Sequence, residues 1–221
     1  MAMKKFGALI AVFVSACSIC AGNKEETNFD FTHNRASITG MLTSACTWQL
    51  ELGYHYMFNH YIGIGGAIGG WEVYYEEGFP SGNNWQIESD DNKPWNIYLH
   101  PSVILKTPAL KVGQVDLGLF AEPGIMMNIP YAQVWIRQDT HWPEYDDKKV
   151  STSAGQWCAM DLRAGVYVNV GPCGFNAGYL MSNFDVYSQY RHLSYNGIPF
   201  SKFYPKKSFL QGAYLTLSYY F

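Results

Sequence analysis

The chain closes on Ala213-Tyr214-Leu215-Thr216-Leu217-Ser218-Tyr219-Tyr220-Phe221, and this ending restricts the fold more than any other stretch. Counting back from Phe221, every second residue is apolar or aromatic: Tyr219, Leu217, Leu215 and Ala213. The residues between are mostly small or polar, Ser218, Thr216 and Gly212, with Tyr220 and Tyr214 as larger members. Successive side chains of an extended strand point to opposite faces, so this is a strand with one apolar and one mostly polar face. A soluble domain normally ends in a polar, frayed segment. A terminal aromatic on the apolar face instead suits a strand that meets lipid, with its ring at the membrane interface.

The same period of two recurs along the chain. Short strands are expected over His33 to Met41 and Thr47 to Met57, the second with Trp48, Leu50, Leu52, Tyr54 and Tyr56 on one face. Tyr61 to Tyr74 follows a tight turn at Asn59-His60; Trp71 falls out of phase there, which predicts a bulge. Further strands are expected at Trp95 to Leu105, Val115 to Ile125, Met160 to Val170 and Phe175 to Tyr187. Pro101 on the apolar face is awkward for a central strand. Tight turns at Asn59-His60, Gly113 and Gly171-Pro172-Cys173-Gly174 alternate with polar loops over 76–94, 130–154 and 188–207. Nothing beyond the N-terminal region is apolar for the length of a membrane helix. The expected fold is all-β: an antiparallel up-and-down transmembrane barrel of about eight strands, with both ends and the short turns on the periplasmic side.

Composition agrees with that reading. Aromatic residues make up 17% of the chain and charged residues only 15%, an unusual balance for a soluble domain. Net charge is −3 with no basic run, which argues against nucleic acid as a partner. Lys4 and Lys5, the apolar stretch Phe6 to Val14 and the small residues up to Ala21 read as a secretory signal peptide over 1–21, leaving 22–221 as the barrel domain. Val14-Ser15-Ala16-Cys17 also resembles a bacterial lipobox, which offers a lipid-anchored alternative through Cys17. Cys46, Cys158 and Cys173 have no metal-ligand spacing and read as wall or turn positions.

The polar faces of the strands carry Glu51, His55, His100, Asp116, Glu122, Asp161 and Arg163. In a narrow lumen these groups must pair, because a buried unpaired charge is costly. They are expected to form a structural polar plug rather than an ion path, with Arg163 as the only clear cation and the centre of the network. Gly63, Gly65, Gly66, Gly69 and Gly70 fit neither nucleotide-binding pattern and read as strand glycines. Glu88-Asp90-Asp91 and Glu144-Asp146-Asp147 lack the EF-hand spacing and read as solvated loop charge; no metal and no cofactor is expected.

With its signal peptide, its dyad strands and the terminal Leu217-Ser218-Tyr219-Tyr220-Phe221, the chain resembles the small outer-membrane barrels of the OmpA transmembrane-domain and OmpX-like group. The resemblance implies export to the bacterial outer membrane, contact with its lipid and lipopolysaccharide, and a monomer. It also implies an assembly signal at Leu217, Tyr219 and Phe221 read by the barrel assembly machinery, and a structural or surface-interaction role rather than catalysis. An alternative comes from Arg191-His192-Leu193-Ser194-Tyr195-Asn196, which resembles the His-x-Ser-Asn stretch of the outer-membrane lipid A 3-O-deacylases. There His192 would be the base and Ser194 the nucleophile. Tyr195 interrupts that pattern, and no acid lies beyond Ser194 to orient the histidine. A further alternative, a soluble lipocalin-like barrel, would turn the apolar faces inward.

Overall fold

The structure is a computed structural model that describes residues 32–75, 79–87, 93–141 and 144–221. The expected signal peptide and the Glu88-Asp90-Asp91 cluster lie outside the described residues. In chain order the strands are β1 (Asn34–Thr43), β2 (Thr47–Met57), β3 (Ile62–Val73), β4 (Ser81–Gly82), β5 (Trp85–Ile87), β6 (Trp95–Lys106), β7 (Leu110–Val112) and β8 (Val115–Asn128). They continue with β9 (Ala132–His141), β10 (Glu144–Thr152), β11 (Cys158–Val170), β12 (Cys173–Ser182), β13 (Ser194–Tyr195), β14 (Ile198–Pro199) and β15 (Leu210–Tyr220). No α-helix occurs among the described residues.

Eight of these strands make one antiparallel sheet in the order β11-β12-β15-β1-β2-β3-β6-β8, and β8 pairs back onto β11 to close a barrel. Following one row of paired residues around the wall leads from Met57 on β2 back to Thr47 on the same strand, a shear of ten residues. With ordinary strand spacings this shear sets a tilt of about 40°. At that tilt strands of 10 to 14 residues span roughly 25–35 Å, the thickness of a membrane's apolar core.

The start of β1 and the last residue lie on one rim. The backbone N–H of Asn34 donates to Phe221 O at 3.2 Å, and that of Phe221 donates to Asn34 O at 3.0 Å, so the last residue is stitched to the first strand. This terminal rim also carries the turns β2–β3, β7–β8 and β11–β12. The opposite rim, the loop rim, carries the short β1–β2 turn and the three long connections.

Those connections are not simply polar loops. Strands β10, β9, β5 and β4 form a second sheet, β13 and β14 form a small hairpin, and together they cap the mouth. The cap has an apolar core of Trp85, Ile87, Val134, Ile136, Phe184, Tyr187, Tyr190, Phe200 and Tyr204, continuous with Trp71, Val73, Tyr98 and Leu210 of the wall. Trp85 stacks on Phe200 at 6.0 Å and Trp71 meets Phe184 edge-on at 5.5 Å. The loop expected over 130–154 is therefore largely the β9–β10 hairpin. The strand expected over Phe175 to Tyr187 ends at Ser182 because the residues after it turn into the cap.

Trp71 does not sit at a bulge: β3 pairs without a gap to both β2 and β6. Its side chain points inward to fill the cap's floor, which is why it breaks the outward phase. One seam of the barrel is interrupted. Strands β6 and β8 pair at Tyr98–Asn128, Leu99–Met127, Ser102–Gly124, Leu105–Ala121 and Lys106–Phe120 only, whereas every other barrel seam pairs continuously. Pro101 and Pro123 fall in the gaps, and proline has no N–H to offer a ladder. Amide protons along the β6–β8 seam should therefore exchange faster than those along β8–β11, read by hydrogen exchange of the refolded protein; equal protection of the two seams would contradict this.

Candidate functional site

Outward-facing positions of the barrel are almost entirely apolar. Ile38, Leu50, Leu52, Ile64, Ile68, Ile97, Leu99, Leu119, Ile125 and Val166 are all exposed. Among the described residues Glu72, near the loop rim, is the only charged side chain on this outward face, and it accepts a hydrogen bond from Trp48 Nε1 at 3.0 Å. Aromatic rings mark both edges of the band. Trp95 and Trp157, 63% and 62% exposed, stand with Phe209 at the loop rim; Phe58, Tyr61, Tyr219 and Phe221 stand at the terminal rim. An apolar surface of this size is costly in water and is what lipid requires. The soluble lipocalin-like alternative has the opposite polarity and does not describe this barrel.

Inside, the polar faces converge on one ionic centre. Arg163 donates to both carboxylate oxygens of Glu51, each at 2.6 Å, in the two-pronged geometry that a planar guanidinium favours. Its Nε lies 3.3 Å from Asp161 Oδ2, and Asp161 Oδ1 lies 2.7 Å from His100 Nε2. Tyr98 adds a hydroxyl bond of 2.7 Å to Glu51. Glu51, His100 and Arg163 are 2%, 1% and 3% exposed, so these polar groups have no solvent to fall back on.

A second chain of hydrogen bonds runs beside the first. Arg35 Nη1 lies 3.4 Å from His55 Nδ1, His55 Nε2 lies 2.9 Å from Ser102 Oγ, and Ser102 Oγ donates to Glu122 at 2.8 Å. A guanidinium can only donate. Nδ1 of His55 must therefore be the acceptor, Nε2 carries the proton, and the hydroxyl passes the direction on to Glu122. This polarity makes His55 a donor toward Ser102, not a base for it.

The wall is shaped to seat these groups. A Cβ on Gly124 would collide with His100 Nε2, and one on Gly69 would stand 2.5 Å from Tyr98 Cζ and 2.7 Å from Glu51 Cγ. Above the network sits the apolar cap core. Below it, Met57, Ile104, Phe120 and Tyr167 fill the terminal end, in one cluster with Met41, Leu180 and Tyr214. Apolar side chains therefore pack on both sides of the polar centre, with Arg35, Lys106 and Tyr220 among them toward the terminal rim.

Of the residues expected in the lumen, Glu51, His55, His100, Glu122, Asp161 and Arg163 come together here. Asp116 does not: it lies near the terminal rim, in register with Lys111 and Asn169. Nor is Arg163 the only cation. Arg35 is fully buried, and with the Asn176 amide turned to accept, its Nη2 donates to that residue at 3.1 Å. Lys106 donates to the Tyr220 hydroxyl and lies over the rings of Tyr167 and Tyr220. Ser102 and Tyr98 share the polar phase of β6 with His100, and that alternation is the sequence signal that marks them.

His192 and Ser194 lie on the cap, both exposed. His192 Nδ1 lies 2.7 Å from the Ser188 carbonyl, so Nδ1 carries the proton; no hydrogen bond joins His192 to Ser194 among the described residues. The acidic Asp146 and Asp147 approach Lys148 at 3.6 Å and Arg137 at 3.8 Å. No group of three or more metal-ligating side chains occurs among the described residues. Leu217 and Tyr219 share the outward face of β15, and the ring of Phe221, just past its end, stacks on Tyr219 at 6.3 Å.

The closed eight-stranded antiparallel wall, apolar outside and polar within, is the architecture of the small outer-membrane barrels. Among solved structures the chain is similar to a major outer membrane protein of Thermus thermophilus (10% identity, 85% of this chain and 98% of that one, TM-score 0.47). It is similar also to the Neisserial surface protein A (11% identity, 85% and 96%, TM-score 0.42) and to the attachment invasion locus protein of Yersinia pestis (10% identity, 86% and 99%, TM-score 0.38). No protein-family model and no curated protein matches the chain. The overlaps are loose, so the fold assignment rests on the barrel's own topology.

Truncating one member of a buried ion pair strands the other, at a cost of about 3–5 kcal/mol. Arg163→Met should lower stability by that order in urea titrations of the folded barrel, and the double variant Glu51→Gln/Arg163→Met should lose much less than the sum of the two singles. Strict additivity would show that the pair does not act as a unit.

Proposed function

We propose that this chain is an integral barrel of the bacterial outer membrane, with a structural or surface-interaction role rather than catalysis. The observation that carries the reading is the apolar band edged by aromatic rings around a buried polar interior. In this reading residues 1–21 direct export and are removed. The terminal rim faces the periplasm and the cap faces outward, among the saccharides of lipopolysaccharide. Leu217, Tyr219 and Phe221 present the assembly signal to the barrel assembly machinery, and the folded protein is a monomer in outer-membrane lipid. The cap supports a surface role because its loops are held by their own apolar core, so they present a fixed surface. The network supports a structural role for Glu51, His55, His100, Glu122, Asp161 and Arg163, because each is buried and bonded to a neighbour.

Cell fractionation with gel mobility tests the reading. The protein should partition with the outer membrane and migrate differently before and after boiling. Recovery in the soluble fraction with no heat-dependent shift would overturn it.

A further inference from the structure

Beside the ionic centre the lumen holds a small cavity, with about 10 Å³ open to the centre of a water-sized sphere. The register shows how the wall forms it. Asp161 and Arg163 on β11 pair with Ser182 and Leu180 on β12, and Ser182 pairs in turn with Leu210 on β15. Met126 joins this lining from β8, and Gln49 joins it from β2 on the opposite wall. None of these residues is more than 8% exposed.

Two polar groups at the cavity lack a partner. Gln49 Nε2 is buried with no hydrogen bond among the described residues. The other end of that amide meets the Tyr98 hydroxyl at 3.3 Å, but a phenol has one proton, and Glu51 takes it at 2.7 Å. Arg163 Nε is buried and unbonded too, because its 3.3 Å approach to Asp161 Oδ2 is poorly aligned. Asp161 accepts from His100 through Oδ1 and, as a carboxylate, has acceptor positions to spare. Ser182 needs nothing further: its hydroxyl donates to Met160 O at 3.0 Å and accepts from the Phe184 N–H at 3.2 Å.

We propose that this cavity binds a single water molecule that bridges Gln49, Arg163 and Asp161. The lining selects the ligand. A cation would stand against Arg163 and an anion against Asp161. An apolar group would leave the amide and the guanidinium unpaired, which is costly away from solvent. A water is neutral and fits the space. It also donates and accepts, so it serves the Gln49 amide whichever of its two ends points inward. The water accepts from Arg163 Nε–H and donates to Asp161. Bonded this way it joins β2 to β11 across the lumen, beside the direct Glu51–Arg163 pair.

The test is solution NMR of the protein refolded in detergent micelles. Cross-relaxation with water is read at the Gln49 side-chain N–H groups and at Arg163 Nε–H. It is read in the rotating frame, where direct contact and proton exchange differ in sign. Wild type should show direct contact with a long-lived water at both groups. Gln49→Met keeps the length of the side chain and removes its amide. It should abolish the contact at Arg163 while the barrel keeps its dispersed backbone amide spectrum. Loss of direct contact at either group in folded wild type overturns the site, and this reading stands even if the variant fails to fold. An Arg163 contact that persists undiminished in the folded variant overturns it as well.

Discussion

Closure of β8 onto β11 is the condition on which everything else in this molecule depends. A strand carries hydrogen-bonding groups along both edges, and an apolar surrounding leaves no water to satisfy them. Joining the first and last members of the sheet removes the edge. With eight strands and a shear of ten, the wall encloses a space just wide enough to be filled by side chains. The period of two then assigns every residue of a strand to lipid or to lumen. The polar faces are brought together by geometry, so the sequence must supply partners for each.

The partners are supplied in two connected sets. Glu51 collects Arg163 and Tyr98, Asp161 bridges Arg163 to His100, and Arg35 sets the direction of the chain through His55 and Ser102 to Glu122. Charges held this way stabilise little over well-packed apolar side chains, but removing one leaves the others stranded. Apolar residues pack on both sides of the network.

Much of this is legible in the sequence. Thr47–Met57 reads as a strand of the right length and phase because its outward residues are almost all large and apolar. The inward Glu51, His55, His100, Glu122, Asp161 and Arg163 follow from the same phase. The cap is not legible, because its core is assembled from segments far apart in the chain, each too short to stand out. Ala132, Val134 and Ile136 alternate in the way a strand requires, yet they sit among polar residues that read as loop. Trp71 breaks phase because it serves the cap and not the band. Arg35 is hard to pick out on a strand whose small residues give a weak pattern, and Asp116 has the right phase but lies too near the rim.

A barrel of this polarity requires its outward face to meet lipid along its whole height. Nitroxide labels placed singly at Trp95, Ile97, Leu99, Val103 and Leu105, in a cysteine-free background in lipid vesicles, test it most directly. Oxygen accessibility should rise to a maximum near Leu99 while accessibility to a water-soluble nickel reagent falls to a minimum there, with the reverse at the ends of the strand. High accessibility to the nickel reagent along the whole of β6 would contradict the account.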